Sequence, residues 1–220
     1  MLARYPRKSV HEIIWSLRCT AYPALKRLLD ILVASAMLLA ISPLLILVAL
    51  AIRLEDGGPV LFVQERVGRG GRRFRFFKFR SMGTDAERRR TQLAGRSDDG
   101  DPIRFKMKRD PRITRVGRWL RRFSIDELPQ LWHVVTGHMT LVGPRPPIPE
   151  ETSRYEASDW RRLDVTPGLT CLWQVSGRAT IPFPRQVALD LEYIHNRTLW
   201  LDLGVLARTV PAVLTGRGAF

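Results

Sequence analysis

The sequence predicts a membrane-anchored α/β chain of the α+β kind, mostly helical, in which a compact domain follows one long apolar helix. Three observations predict it. From Ile31 to Ile52 run 22 residues without a charge, "ILVASAMLLAISPLLILVALAI", enough at about 1.5 Å each to cross a hydrocarbon core. After it, two alternating runs flank a glycine-rich turn. Beyond those, helical patterns dominate. The chain divides accordingly into a basic segment 1–24, a membrane segment 25–53 and a domain 54–220.

In the membrane segment, Ser42-Pro43 stands at the centre. Proline removes a backbone donor and crowds the preceding turn, so a helix kinks or breaks there. The serine hydroxyl can return a hydrogen bond to a carbonyl left free. Lys26 and Arg27 precede the run and Arg53 follows it, so positive charge marks neither end as the outer one. Two topologies fit these flanks. A helix broken at Ser42-Pro43 dips in and leaves by the same face, or a single span carries a proline kink.

The first part of the domain reads as a hairpin, "PVLFVQERV" and "RRFRFFKFR" around "GRGG". From Arg66 to Arg90 there are ten Lys or Arg and two acids, with Phe74, Phe76, Phe77 and Phe79 interleaved. A single-strand nucleic-acid platform has that composition, and so has a basic strand pair with one face on a core. Residues 83–110 are polar, lack apolar periodicity and read as a surface loop. "ITRVGRWLRRF" and "DELPQLWHVVTG" read as helices, "MTLVGPRPP" as a strand running into a proline-locked turn that fixes Arg145. "QVALDLEYIHNRTLWLDLGVLARTVPAVL" reads as one helix, suited to a membrane surface or to a core.

Composition narrows the chemistry. Thirty-six Lys and Arg against 21 Asp and Glu leave a formal charge of +15, which points to an anionic partner: nucleic acid, an acidic membrane surface or a phosphorylated substrate. Cys19 and Cys171 cannot form a disulfide framework and have no metal-ligand spacing. His11, His133, His138 and His195 are scattered, read as structural or solvent-facing, and make no zinc site.

Against this basic background "SIDELPQLW" sets Asp126 beside Glu127, directly after Arg115, Arg118, Arg121 and Arg122. Ser124 and Glu127 have the spacing of a helix capping box. Equally, a carboxylate among arginines stays ionised and can meet a substrate whose negative charge the arginines hold. Pro129 is best tolerated in a first helical turn, so both acids belong near a helix N-terminus, where the dipole favours anions.

In chain order, "FKFRSM", "RRFSIDELPQLWHVVTGHMTLVGPRPP", "TPGLTCLWQVSGR" and "LDLEYI", after a Ser-Pro-broken apolar helix, resemble the bacterial sugar transferases over about residues 24–216. These are the monotopic polyprenyl-phosphate phosphoglycosyl transferases, here in the short catalytic-core, exopolysaccharide-type form. The resemblance implies that Leu25–Arg53 is a re-entrant membrane helix and that Asp126-Glu127 is the catalytic dyad. It implies transfer of a sugar-1-phosphate from a UDP-sugar, a UDP-hexose such as glucose or galactose, to polyprenyl (undecaprenyl) phosphate, releasing UMP. Asp126 is then the nucleophile that carries the phosphosugar, and Glu127 its partner. Magnesium is the implied cofactor with Asp126 as its ligand, because phosphoryl transfer needs charge neutralisation and alignment.

Arg121 and Arg145 are the best phosphate clamps, since a guanidinium fork suits phosphate oxygens. Lys78, Arg80 and Arg178 are further candidates. The resemblance also places the chain at the cytoplasmic face of a bacterial inner membrane, among its lipids and without nucleic acid, and leaves a homodimer open as an assembly. The competing reading is a membrane-anchored basic nucleic-acid-binding module. Three positions depart from the family pattern: His133 for a common asparagine, His138 for an acid and Cys171 for a glycine. None touches the dyad. The effect of His138 would be on a neighbouring contact.

Overall fold

The computed structural model describes residues 10–93, 107 and 110–216, with side chains described from residue 22 onward except at 90, 91 and 179. Residues 1–9 of the basic segment and most of the polar stretch expected as a loop, residues 94–106 and 108–109, lie outside the described residues, while the rest of the basic segment begins α1.

Helix α1 runs from Val10 to Asp56 and contains both Pro23 and Pro43. Its apolar part is long enough to cross a membrane and is mostly uncovered by the rest of the chain. The two legs expected on either side of Ser42-Pro43 appear as one continuous helix. The reason is local. Pro43 leaves the Leu39 carbonyl without its usual donor four residues on, and the Ser42 hydroxyl donates to that same carbonyl at 2.8 Å.

Both ends of this apolar run are docked on the domain that follows. Near the start, Arg27 donates to the Val134 and Val135 carbonyls, the latter at 2.8 Å. Asp30 accepts from the Thr140 hydroxyl and from the Leu141 amide. Near the end, Val48 and Ile52 pack with Phe79 and Leu120, and Asp56 pairs with Arg80. Between them Leu39, Leu44, Ile46 and Leu47 are exposed.

The hairpin forms as its alternation predicts. β1 (Leu61–Val67) pairs antiparallel with β2 (Arg73–Phe79), with Leu61 opposite Phe79 and Val67 opposite Arg73. Phe76 and Phe79 are buried, and Phe74 stacks on His138. These rings are used up in packing, so the basic aromatic strand is a core face and offers no stacking platform for nucleic acid.

A second small sheet pairs β3 (Thr140–Val142) in parallel with β4 (Gly168–Thr170). The strands close only because Gly168 has no side chain: a Cβ there would lie 2.1 Å from the Gly143 amide nitrogen.

Helices fill the rest: α2 (Ala86–Leu93), α3 (Arg115–Arg122), α4 (Leu131–Thr136), α5 (Pro149–Thr152), α6 (Leu172–Ser176), α7 (Phe183–Asn196) and α8 (Leu199–Thr215). Two differ from the sequence reading. α2 occupies part of the expected loop, where an Asp85–Arg89 ion pair at 2.7 Å bridges one turn. The long C-terminal helix is two, because Thr198 starts a new one by accepting from the Leu201 amide at 3.2 Å. α8 exposes Trp200, Leu203, Val210 and Leu214 and buries Asp202 and Val205. The main core gathers Phe76, Leu131, Val134, Met139, Leu141, Tyr193 and Val205 around Ala34 of α1.

Arg80 joins the end of β2 to the end of α1 through Asp56 and the Pro59 carbonyl. Replacing it with Met leaves Asp56 without its cation. We expect a loss of about 2 kcal/mol of stability, read as a lower thermal midpoint in detergent or nanodiscs.

Candidate active site

The dyad sits on backbone set up by its neighbours. α3 packs closely on the end of β2 because residue 117 is glycine: a Cβ there would come within 2.0 Å of the Ser81 carbonyl oxygen. Thr114 caps α3 by accepting from the Gly117 amide at 2.9 Å. Glu55 of α1 accepts from the Arg115 and Val116 amides at 2.7 and 3.2 Å. After Phe123 the chain turns through Ser124, whose φ of 52° is left-handed. It then enters a 3-10 helix, Ile125–Gln130, that leads into α4.

Asp126 and Glu127 therefore stand in a first helical turn, as Pro129 suggests, but the capping box does not form. A cap needs extended backbone. Ser124 is left-handed and its hydroxyl makes no cap bond, while the Glu127 carboxylate turns to Arg145.

The two acids live in different electrostatic settings. Glu127 accepts from Arg145 Nη2 at 2.7 Å. Burial alone would raise its pKa, but Arg145 and Lys78 outweigh it and hold the carboxyl below its ordinary value. Asp126 is 5% exposed, and its nearest cation, Lys78 Nζ, is 3.8 Å away. Burial pushes its carboxyl up to about 6, against the pull of Lys78 and with the help of the Glu127 charge. Lys78 is itself pulled down by burial, with both acids opposing. The result is one committed carboxylate beside one that is ionised at neutral pH yet more basic than a free aspartate.

A cavity of about 770 Å³ opens over this pair. Lys78, Arg121, Arg145 and Arg178 line it together with the dyad. Of the residues expected at the site, Arg80 alone is elsewhere, held by Asp56. Its position follows from the strand: β2 ends at Phe79, so Arg80 leaves the face that carries Lys78. Ser42 and Pro43 lie in α1, outside the cavity lining.

Two cationic residues escaped the sequence reading. Arg66 reaches the cavity while donating to the Pro146 carbonyl at 3.0 Å and lying over the Phe76 ring. Pairing of Arg66 with Phe74 and Phe62 with Lys78 puts Arg66 and Lys78 on one face, so period-two counting could have found it. Arg162 is buried against Asp190 at 2.6 Å, and no local pattern marks it. The opposite wall is apolar: Val33 and Met37 from α1, Leu206, Val210, Val213 and Leu214 from α8.

The departures from the family pattern are explained by position. His133 is buried and accepts from the Phe77 amide through Nε2 at 3.2 Å. Burial pulls its pKa down to about 4, so the ring stays neutral and able to accept. His138 is exposed, hydrogen-bonded through Nδ1 to the Thr136 hydroxyl. Cys171 is buried with its thiol on Gln174 Oε1 at 3.0 Å, in extended backbone that needs no glycine. His195 faces solvent, and the side chains of His11 and Cys19 lie outside the described residues. Among the described residues, no three His, Cys, Asp or Glu side chains gather into a protein-only metal cage.

The family model of the bacterial sugar transferases matches residues 21–216. The chain belongs to this family. It is 44% identical over 210 residues, 94% of the chain, to the galactosyl transferase CpsE of Streptococcus agalactiae, covering 46% of that protein. To the undecaprenyl-phosphate glucose phosphotransferase of Komagataeibacter xylinus it is 44% identical over 206 residues, covering 89% of the chain and 37% of the relative. With the exopolysaccharide production protein ExoY of Rhizobium meliloti it shares 38% identity over 198 residues, 89% of the chain and 88% of that protein. The chain thus spans less than half of the first two relatives and most of the third.

Arg121 and Arg145 line one cavity with different commitments. Among the described residues Arg121 has no ion pair, whereas Arg145 balances Glu127. We expect Arg121→Met to leave the thermal midpoint unchanged. Arg145→Met, which strands a partly buried carboxylate, should lower it by the equivalent of about 2 kcal/mol. Scanning calorimetry or dye-based melting of the two variants side by side checks this.

Proposed function

We propose that this chain transfers a sugar-1-phosphate from a UDP-sugar, UDP-glucose or UDP-galactose, to undecaprenyl phosphate, giving the lipid diphosphosugar and UMP. This is a first membrane step of exopolysaccharide or glycoconjugate assembly. One observation carries the reading: a single cavity brings a buried carboxylate pair, several guanidinium groups and an apolar wall from a membrane helix to one place. A phosphate ester with an isoprenoid tail needs all three. The similarity to a galactosyl transferase and to a glucose phosphotransferase supports the choice of hexose.

The mechanism follows from the division between the acids. Asp126, the more basic and uncommitted carboxylate, attacks the β-phosphorus of the UDP-sugar. The bond from phosphorus to the bridging oxygen breaks, and that oxygen leaves with its electron pair on UMP. The sugar phosphate is left on Asp126 as an acyl phosphate. An oxygen of undecaprenyl phosphate then attacks the same phosphorus and the Asp126 carboxylate departs. Glu127, locked by Arg145, keeps that arginine oriented toward the transferring phosphate. Lys78 offsets charge beside the nucleophile. Asp126 is the carboxylate that would hold magnesium, and the ion would supply neutralisation of phosphate charge there.

We read α1 as re-entrant, entering from the cytoplasmic face of the inner membrane. The docking of both ends of its apolar run on one domain supports this, since a helix spanning the bilayer would carry those ends to opposite sides. Cysteine tags at the two termini should both resist a periplasmic thiol reagent, and labelling of either one rules the topology out.

The reaction is tested with labelled UDP-glucose and UDP-galactose. Purified enzyme in nanodiscs should release about one equivalent of UMP without any lipid acceptor, and the sugar label should map to the Asp126 peptide. Asp126→Asn keeps the shape but not the nucleophile, so turnover should fall to background while the fold survives. UMP release that strictly requires undecaprenyl phosphate, with no label on the protein, would falsify the covalent route.

A further inference from the structure

Six basic residues line the cavity, and the protein has already engaged four of them. Arg66 donates to Pro146, Lys78 sits beside Asp126, Arg145 pairs with Glu127 and Arg162 with Asp190. Of these six, as far as the described residues go, Arg121 and Arg178 have neither an ion pair nor a side-chain hydrogen bond. Both line the cavity with the dyad. Arg121 acts electrostatically on Lys78 and Asp126. The charge that acts on Arg178 is Glu127, opposing a loss of basicity caused by burial.

Arg178 is also held in an unusual way. Its φ is 54°, left-handed backbone that a residue with a Cβ adopts at a cost and glycine adopts freely. It follows Gly177 and opens a single 3-10 turn, Arg178–Thr180. A glycine here would relax the turn. An arginine keeps the strain and presents a guanidinium to the cavity, a pattern that points to function.

A diphosphate donor brings two phosphates, and the acceptor brings one. The phosphate under attack must lie at Asp126, within the field of Lys78 and Arg121. The neighbouring phosphate of the donor then needs a cation one phosphate further on, and the Glu127 side of the dyad has one uncommitted. Resting on the covalent route above, we infer that Arg178 holds the α-phosphate of the nucleotide donor, the group that leaves as UMP. It neutralises the charge that reaches the bridging oxygen as the bond to the β-phosphorus breaks. It has no part in the second step, where the leaving group is the Asp126 carboxylate.

Arg178→Gly separates this role from a structural one, because it removes the guanidinium and the backbone strain together. The thermal midpoint should equal or exceed that of the unaltered protein. Acceptor-independent UMP release from UDP-glucose or UDP-galactose should slow by at least about tenfold, with a lowered kcat/KM for the UDP-sugar and an unchanged kcat/KM for undecaprenyl phosphate. Intermediate allowed to accumulate on the variant should pass to undecaprenyl phosphate at the unaltered rate. Equal slowing of both half-reactions, an unchanged first half-reaction or a lower midpoint overturns the inference. If the unaltered protein releases no UMP without acceptor, the covalent route itself fails, and the inference with it.

Discussion

Everything in the cavity depends on how α1 is fastened. A helix apolar enough for a bilayer is joined to the domain at both ends by charged groups. Lys26 and Tyr22 reach Asp202 at 2.8 and 3.0 Å, Arg27 and Asp30 grip α4 and β3, and Glu55 and Asp56 grip α3 and β2. Asp30 and Asp202 are buried, so pulling the helix away would strand charge, at a cost of a few kcal/mol for each pair. Glu55 holds the first amides of α3, and Arg27 holds the last carbonyls of α4. The dyad lies on the short segment between those two helices, so the placement of α1 and the placement of the dyad are one constraint.

Within that frame the excess of arginine does unequal work. Most of the +15 charge cannot distinguish one anion from another. What distinguishes Asp126 from Glu127 is commitment: a close guanidinium on Glu127, and on Asp126 only an ammonium 3.8 Å away. Two adjacent carboxylates with equal partners would share one role. Unequal partners separate them into a fixed orienting group and a reactive one. Arg145 is consequently both a phosphate ligand in the proposed reaction and the counter-ion that keeps Glu127 ionised, and removing it should disturb both functions.

Local patterns made the hairpin, α3, the strand before Arg145 and the dyad legible in the sequence, because alternation, helical spacing and proline act over a few residues. Lys78, Arg121, Arg145 and Arg178 line the cavity with the dyad for the same reason: each lies in or beside a local motif. Arg80 misled because its parity matches that of Lys78, while the strand stops one residue before it. The capping box failed because S-x-x-E spacing says nothing about the φ of Ser124. Arg162 was out of reach, since its partner Asp190 is 28 residues away and only the packing of α7 brings them together. Where Pro43 interrupts the backbone ladder of α1, the Ser42 hydroxyl donates to the Leu39 carbonyl instead. Residue chemistry permits that bond, but only the fold decides it.

In the proposed reaction the apolar wall lets a soluble nucleotide and a membrane lipid share one nucleophile. Drawing an isoprenoid chain out of the bilayer costs about 0.8 kcal/mol for each CH2 group, far more than a phosphate clamp returns. The reacting carboxylate must therefore come to the lipid. Val33 and Met37 of α1 and the later turns of α8 line the cavity, and both helices expose further apolar side chains, including Trp200 at 84% in the first turn of α8. Indole rings favour the headgroup boundary, which suits the exposed first turn of α8 to a membrane surface. In the proposed reaction an acceptor brings its phosphate to Asp126 with its tail still in hydrocarbon, while the UDP-sugar enters along the arginine-lined side. The donor then carries the reacting phosphorus in from water and the acceptor meets it from the lipid.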